Sequence, residues 1–177
     1  MVSSSRLRAI SIHLLTQCYR RGGTLPPVTK RCAVKEATKI VEILKPQDLA
    51  SYKSLIDECF GSSNDLTEYR KYNENGAYTI FVIKDGGDII GSVTQYPIDL
   101  FTFSFQPCLM VFNVAVKPTY RGQKIAQKLL QHIIENAKAG GYNSISLTCL
   151  DDAYSAHKLY ESLGFKKASS VKYDLYF

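Results

Sequence analysis

Hydrophobic positions along this chain change their spacing several times, and each change marks the border of an element. Residues 38–44 predict a first strand, ended by Pro46. Residues 47–60 place Leu49, Tyr52, Leu55, Ile56 and Cys59 on one helical face, with Gly61 as the stop. A second, short helix is expected over 64–72. Residues 78–83 and 88–96 are apolar strands joined by Asp85-Gly86-Gly87, a tight hairpin signal. Residues 109–116 form a nearly continuous apolar run, the pattern of a strand buried on both faces. Over 120–139, Ile125, Ala126, Leu129, Leu130, Ile133, Ile134 and Ala137 recur at helical spacing until Gly140-Gly141. Residues 144–150 predict a strand and 152–163 an amphipathic helix stopped by Gly164. Alternating aromatics at 165–168 and 171–177 predict closing strands. The sum is a mixed α/β domain over 36–177, built around one central strand-turn-helix unit, with no internal repeat and no linker.

Composition agrees with one folded domain. The 177 residues are 45% hydrophobic and 21% charged, the balance of an ordinary globular chain, which argues against a disordered or membrane-embedded body. Cys18, Cys32, Cys59, Cys108 and Cys149 form no Cys-x-x-Cys pair and have no histidine at zinc spacing, so free thiols and no metal are expected. His132 is read as a surface residue and His157 as a satisfied helix residue one turn before Tyr160.

Charge changes the picture at one end only. The net charge is +6, yet Arg6, Arg8, Arg20, Arg21, Lys30, Arg31 and Lys35 lie in residues 1–35 without a single acid. The remainder holds 15 basic against 16 acidic residues, a net charge of −1. A near-neutral body disfavours a nucleic-acid partner. The leader is rich in Ser and Arg, and its apolar run Ala9-Ile10-Ser11-Ile12-His13-Leu14-Leu15 is too short to span a bilayer. Its composition is that of an organelle transit peptide and equally that of a disordered basic arm, so the expected location is cytoplasmic, or an organellar matrix if the leader is a transit peptide.

The chemistry concentrates where the central strand turns into the long helix, at Val116-Lys117-Pro118-Thr119-Tyr120-Arg121-Gly122-Gln123-Lys124-Ile125-Ala126. A helix start presents unpaired N–H groups and the positive end of its dipole, which suits a pyrophosphate. Gly122 and Ala126 keep bulk away, and Arg121 and Lys124 add opposite charge. This segment resembles the Arg-x-x-Gly-x-Gly/Ala signature of the GNAT superfamily of N-acetyltransferases, with its Val-x-Pro-x-Tyr lead. A second block, Ala156-His157-Lys158-Leu159-Tyr160-Glu161-Ser162-Leu163-Gly164-Phe165, resembles the family's Ala-x-x-Leu-Tyr-x-x-x-Gly-Phe helix.

That resemblance implies a central, mostly antiparallel sheet with a splayed strand and helices on both faces. It implies transfer of an acetyl group from acetyl-CoA to a primary amine by direct attack, the acceptor being a protein N-terminus, a lysine or a small amine. By position, Val114, Ala115 and Val116 would lie beside the pantetheine arm and thioester. Backbone amides over Gly122, Gln123, Lys124, Ile125, Ala126 and Gln127, with Arg121, would hold the pyrophosphate, and Tyr160 would protonate the leaving thiolate. On the residues alone, Tyr160 reads as a core tyrosine on an amphipathic helix, and it is the Leu-Tyr-x-x-x-Gly-Phe context that favours catalysis. Lys124 stands where the family most often has glycine, Ala153 where it often has asparagine, and Phe112 near where many relatives carry a carboxylate; the general base is unassigned. These departures keep open a non-catalytic acyl-CoA-binding regulatory domain. Tyr69, Tyr72, Tyr78 and the loop Phe101-Thr102-Phe103-Ser104-Phe105 are aromatic walls suited to an acceptor, to packing or to a homodimer contact.

Overall fold

Alternation along a single strand divides the interior into two layers. β2 (Thr79–Asp85) sends Ile80 and Val82 to one face of the sheet and Phe81 and Ile83 to the other, and all four are buried. The computed structural model describes residues 39–74, 76–99 and 107–177. The basic leader and the aromatic loop at 101–105 lie outside them.

The sheet runs in sequence order from β1 (Val41–Ile43) through β2, β3 (Asp88–Asp99) and β4 (Pro107–Val116) to β5 (Ser144–Leu147). Its first three pairings are antiparallel and the β4–β5 pairing is parallel. A mostly antiparallel mixed sheet is therefore present, as the resemblance implied. On the Val82 face lies α1 (Leu49–Phe60), which buries Leu49, Tyr52, Leu55 and Ile56, followed by α2 (Leu66–Asn73). Asp65 starts α2 as its N-cap, its side chain accepting from the Thr67 amide at 2.7 Å. On the Ile83 face, α3 (Ile125–Ala139) buries Ile125, Leu129, Leu130, Ile133 and Ala137. There α4 (Tyr154–Ser162) adds Leu159 and Tyr160 to the rim of the same cluster.

Gly91 sets how closely α3 approaches the sheet. A methyl group there would come within 2.5 Å of Ile125 Cγ2 and 3.3 Å of Leu129 Cδ1. The first turn of α3 thus seats on a bare strand backbone.

Four expectations are corrected. Residues 165–177 carry no strand, and Val171, Tyr173, Leu175, Tyr176 and Phe177 are exposed. Alternation makes a strand only where an edge pairs with it, and no described strand borders β5 on its far side. β5 stops at Leu147 rather than 150, and α3 starts at Ile125 rather than 120. β4 is not buried on both faces throughout, because Phe112 and Asn113 are turned out. The last three departures fall in one place and shape the site below.

Replacing Gly91 with Ala is expected to destabilise the fold by about 1–3 kcal/mol through overpacking against Ile125. Thermal melting checks this, and an unchanged melting temperature would mean that α3 is not held at this distance.

Candidate active site

β4 pairs with β5 only from Cys108 to Val111. Past Val111 no described strand lies on that edge. In the same stretch β4 bulges against β3: Ala115 faces Ser92 and Phe112 faces Thr94, leaving Asn113 and Val114 opposite one residue, with Asn113 at φ 51°. The bulge splits its two residues between the two layers. Asn113 lines a cavity on the α1–α2 side, whereas Val114 packs against the α3 cluster. Released on one edge and bulged on the other, β4 is accessible from both faces at the same residues.

The turn after β4 holds itself together with its own side chains. Arg121 Nε donates to the Val116 carbonyl at 3.3 Å, and Gln123 Nε2 donates to the Thr119 carbonyl at 3.3 Å. A 3₁₀ turn, Pro118–Tyr120, precedes two left-handed residues, Gly122 at φ 76° and Lys124 at φ 60°. Those angles cannot continue a right-handed helix, which is why α3 begins only at Ile125. The first helical bond is from the Lys128 amide to the Lys124 carbonyl, at 3.0 Å. Among the described residues, no protein group accepts from the amides of Gly122, Gln123, Lys124, Ile125, Ala126 or Gln127. Six unpaired amides at the positive end of a 15-residue helix, with nothing within 4 Å of where a Gly122 side chain would point, fit a bulky anion such as a pyrophosphate.

Lys124 now has a physical account. Its left-handed backbone is the conformation that favours glycine, so a lysine there strains the turn without blocking it, and its side chain is exposed.

Tyr160 is half-buried on α4. Its phenol pKa is pushed up to about 12, chiefly by burial and secondarily by the nearby Cys149 thiol. Cys149 lies in the segment that leaves β4 after β5 ends, while Tyr160 packs on the same cluster as Val114 and Val116. The phenol thus lies near the Cys149 thiol, on the layer that also takes the Val114 and Val116 side chains. Its backbone is fixed by the helix stop: the Phe165 amide donates to the Tyr160 carbonyl at 3.0 Å and the Gly164 amide to the Glu161 carbonyl at 3.0 Å, with Gly164 at φ 90°. The Phe165 ring meets the Tyr160 ring edge-on at 6.0 Å. Ala153 begins α4 without any side-chain cap.

Among the described residues, the cysteines lie where burial disfavours the thiolate. Burial raises the pKa of both Cys59 and Cys149, and Cys108 is buried. His157 Nε2 lies 2.9 Å from the Leu150 carbonyl, which satisfies it away from the phenol. His132 is a correction: it is half-buried, packs edge-on against Phe81 at 4.9 Å and meets Asn136 at 3.0 Å.

On the other face of β4, a cavity of about 340 Å³ gathers the expected Tyr69, Tyr72 and Tyr78 with Tyr52, Tyr96, Glu68, Thr94 and Asn113. Tyr52 and Thr94 were not marked by the sequence, since each reads as an ordinary core position. Glu68, Tyr69, Tyr72 and Asn73 share one face of α2, a spacing that was legible but polar enough to pass for solvent.

This geometry has relatives. The Acetyltransferase (GNAT) family matches residues 49–165, and the chain belongs to that family. It is 29% identical over 117 residues to N-acetyltransferase family 8 member 2 of Rattus norvegicus, a match covering 66% of this chain and 50% of that protein. It is 31% identical over 134 residues to an N-acetyltransferase of Schizosaccharomyces pombe, covering 68% of this chain and 78% of the relative. Among solved structures, glucosamine-6-phosphate N-acetyltransferase of Arabidopsis thaliana superposes with a TM-score of 0.68 at 21% identity, covering 79% of this chain and 99% of that one. The chain thus spans half the length of the rat relative, and the solved structure is a likeness of fold.

Two substitutions test the turn. Lys124→Gly is expected to raise stability by about 1 kcal/mol by removing the left-handed strain, and a lower melting temperature would refute that account. Gly122→Glu is expected to cost about 1 kcal/mol of stability, because φ 76° is strained for any side chain, and to weaken acetyl-CoA binding at least about tenfold in the folded chain, because the new carboxylate competes for the amides; melting and calorimetry would separate the two effects.

Proposed function

We propose that this chain transfers the acetyl group of acetyl-CoA to a primary amine. One observation supports the reading: the six unpaired amides of residues 122–127 follow directly on the part of β4 that β5 leaves unpaired, and Tyr160 packs on the same cluster as Val114 and Val116. Acetyl-CoA, when bound, supplies the electrophilic thioester carbonyl.

The chain's own residues then have separate tasks. Amides from Gly122 to Gln127 hold the pyrophosphate and so fix the position of the far end of the cosubstrate. Backbone groups of Val114, Ala115 and Val116, on the edge that β5 leaves free, orient the pantetheine arm and polarise the carbonyl. The acceptor, having lost its ammonium proton to water, attacks as the neutral amine; the new C–N bond forms as the C–S bond breaks, the Tyr160 hydroxyl gives its proton to the departing sulfur, and the proton shed by the nitrogen returns to the Tyr160 phenolate through water. A pKa near 12 keeps that hydroxyl protonated at every working pH. The acceptor enters from the tyrosine-lined cavity, which reaches β4 at Asn113.

Thiol release by the purified chain, with acetyl-CoA and a panel of primary amines, tests this directly. Amine-dependent release is expected. Tight binding of acetyl-CoA with no release under any acceptor would favour a non-catalytic acyl-CoA-binding role. Tyr160→Phe is expected to lower kcat about a hundredfold or more while moving the KM for acetyl-CoA less than about twofold. Because the phenol pKa is raised, its acid form persists, so kcat of the wild-type chain should show no descending limb up to about pH 10. A descending limb below that would assign the proton to another group.

A further inference from the structure

The cavity on the α1–α2 face speaks to the substrate, an inference that rests on the transferase reading. Tyr52, Tyr69, Tyr72, Tyr78 and Tyr96 all border one space, and among the described residues Glu68 is the single acidic side chain on its lining and no Lys, Arg or His lines it. Ring faces attract cations, the more so where water is excluded. One of these rings already does so: the Lys71 ammonium lies 5.6 Å from the centre of Tyr72.

Thr94 borders the same space. It is only 2% exposed, it lines the cavity, and its hydroxyl has no hydrogen-bond partner. The Tyr52 hydroxyl lies beside it. Burial pushes the Tyr52 pKa up to about 12, so this phenol stays neutral and adds no charge.

We propose that this cavity admits acceptors that enter as an ammonium on an aromatic or alkyl body, and rejects amines that also carry a carboxylate or a phosphate. The ammonium is held by the tyrosine rings and Glu68, while the apolar body lies against the remaining rings. An anionic group would face Glu68, and among the described residues no cation lines the cavity to receive it, the Lys71 ammonium being held at the Tyr72 ring. A pocket of this size takes a small molecule or the side chain of one residue.

The test uses the full chain and two independent readouts. Benzyltrimethylammonium cannot be acetylated, so its binding reports on the cavity alone, by calorimetry and by tyrosine fluorescence in a chain with 12 Tyr and no Trp. It is expected to bind, whereas benzoate is not. Tyr72→Leu, at an exposed position that tolerates change, should weaken it about tenfold, and Tyr72→Phe, which keeps the ring, should restore it. Glu68→Gln should cost about two- to fivefold. In turnover, phenylethylamine should exceed phenylalanine, and glucosamine should exceed glucosamine 6-phosphate, by at least about tenfold in kcat/KM. Equal binding of benzoate, or affinity unchanged in both Tyr72→Leu and Glu68→Gln, overturns the proposal. If the ammonium binds as expected and no amine releases thiol, the cavity assignment stands and the transferase reading falls. If amines release thiol without regard to their anionic groups, the transferase reading stands and this one falls.

Discussion

The parting of β4 from β5 after Val111 is the constraint on which the rest of the structure depends. A parallel pair that continued to the end of β4 would use every backbone group on that edge and leave no opening in the sheet. Here only four residue pairs are made, Cys108 to Val111 with Ser144 to Leu147. The bulge at Asn113 completes the opening by sending neighbouring residues to opposite layers. A sheet that would otherwise separate the two helical layers thereby becomes the place where they communicate. The α3–α4 layer provides the amides and the phenol, and the α1–α2 layer provides the tyrosine cavity.

Chain reversals fix the reacting groups with unusual economy of side chains. Before α3, two left-handed residues delay the helix, and the delay leaves six consecutive amides without partners. Had the helix begun at Tyr120, as the apolar spacing allowed, part of that row would have been consumed by helical bonds. The same logic governs the end of α4. Gly164 and Phe165 close the helix onto the carbonyls of Glu161 and Tyr160, so the Leu-Tyr-x-x-x-Gly-Phe pattern is in part a helix stop that holds the phenol in place.

Much of this was legible in the chain because periodicity reports burial. The α1 face of Leu49, Tyr52, Leu55 and Ile56, the α3 face from Ile125 to Ala137, and the hairpin at Gly86 all appear where spacing placed them. What could not be read depends on partners distant in sequence. The alternating residues 171–177 fit a strand, but a strand also needs an open edge in reach, and nothing local encodes that. The apolar run 109–116 could not reveal its bulge, because Asn113 in a left-handed conformation is a tertiary outcome of how β3 and β4 register. Within the site, Gly122 and Tyr160 were marked by their motifs, while Tyr52 and Thr94 looked like core until α2 was placed over them.

Charge separates the two sides of β4 as clearly as topology does. On the α3 side the fixed field is positive, from a helix N-terminus and its free amides, with Arg121 and Lys124 exposed on the same turn. On the α1–α2 side the lining is phenols and one carboxylate. On the proposed reading, an anionic cosubstrate and a cationic acceptor are thereby drawn to opposite faces of the same strand, and each is disfavoured in the other's place. They can meet only where the strand is open to both sides, at Asn113 and Val114. The thioester must therefore reach that bulge for transfer to occur, and this ties the position of the phosphates, set by the start of α3, to the position of the amine, set by the tyrosines.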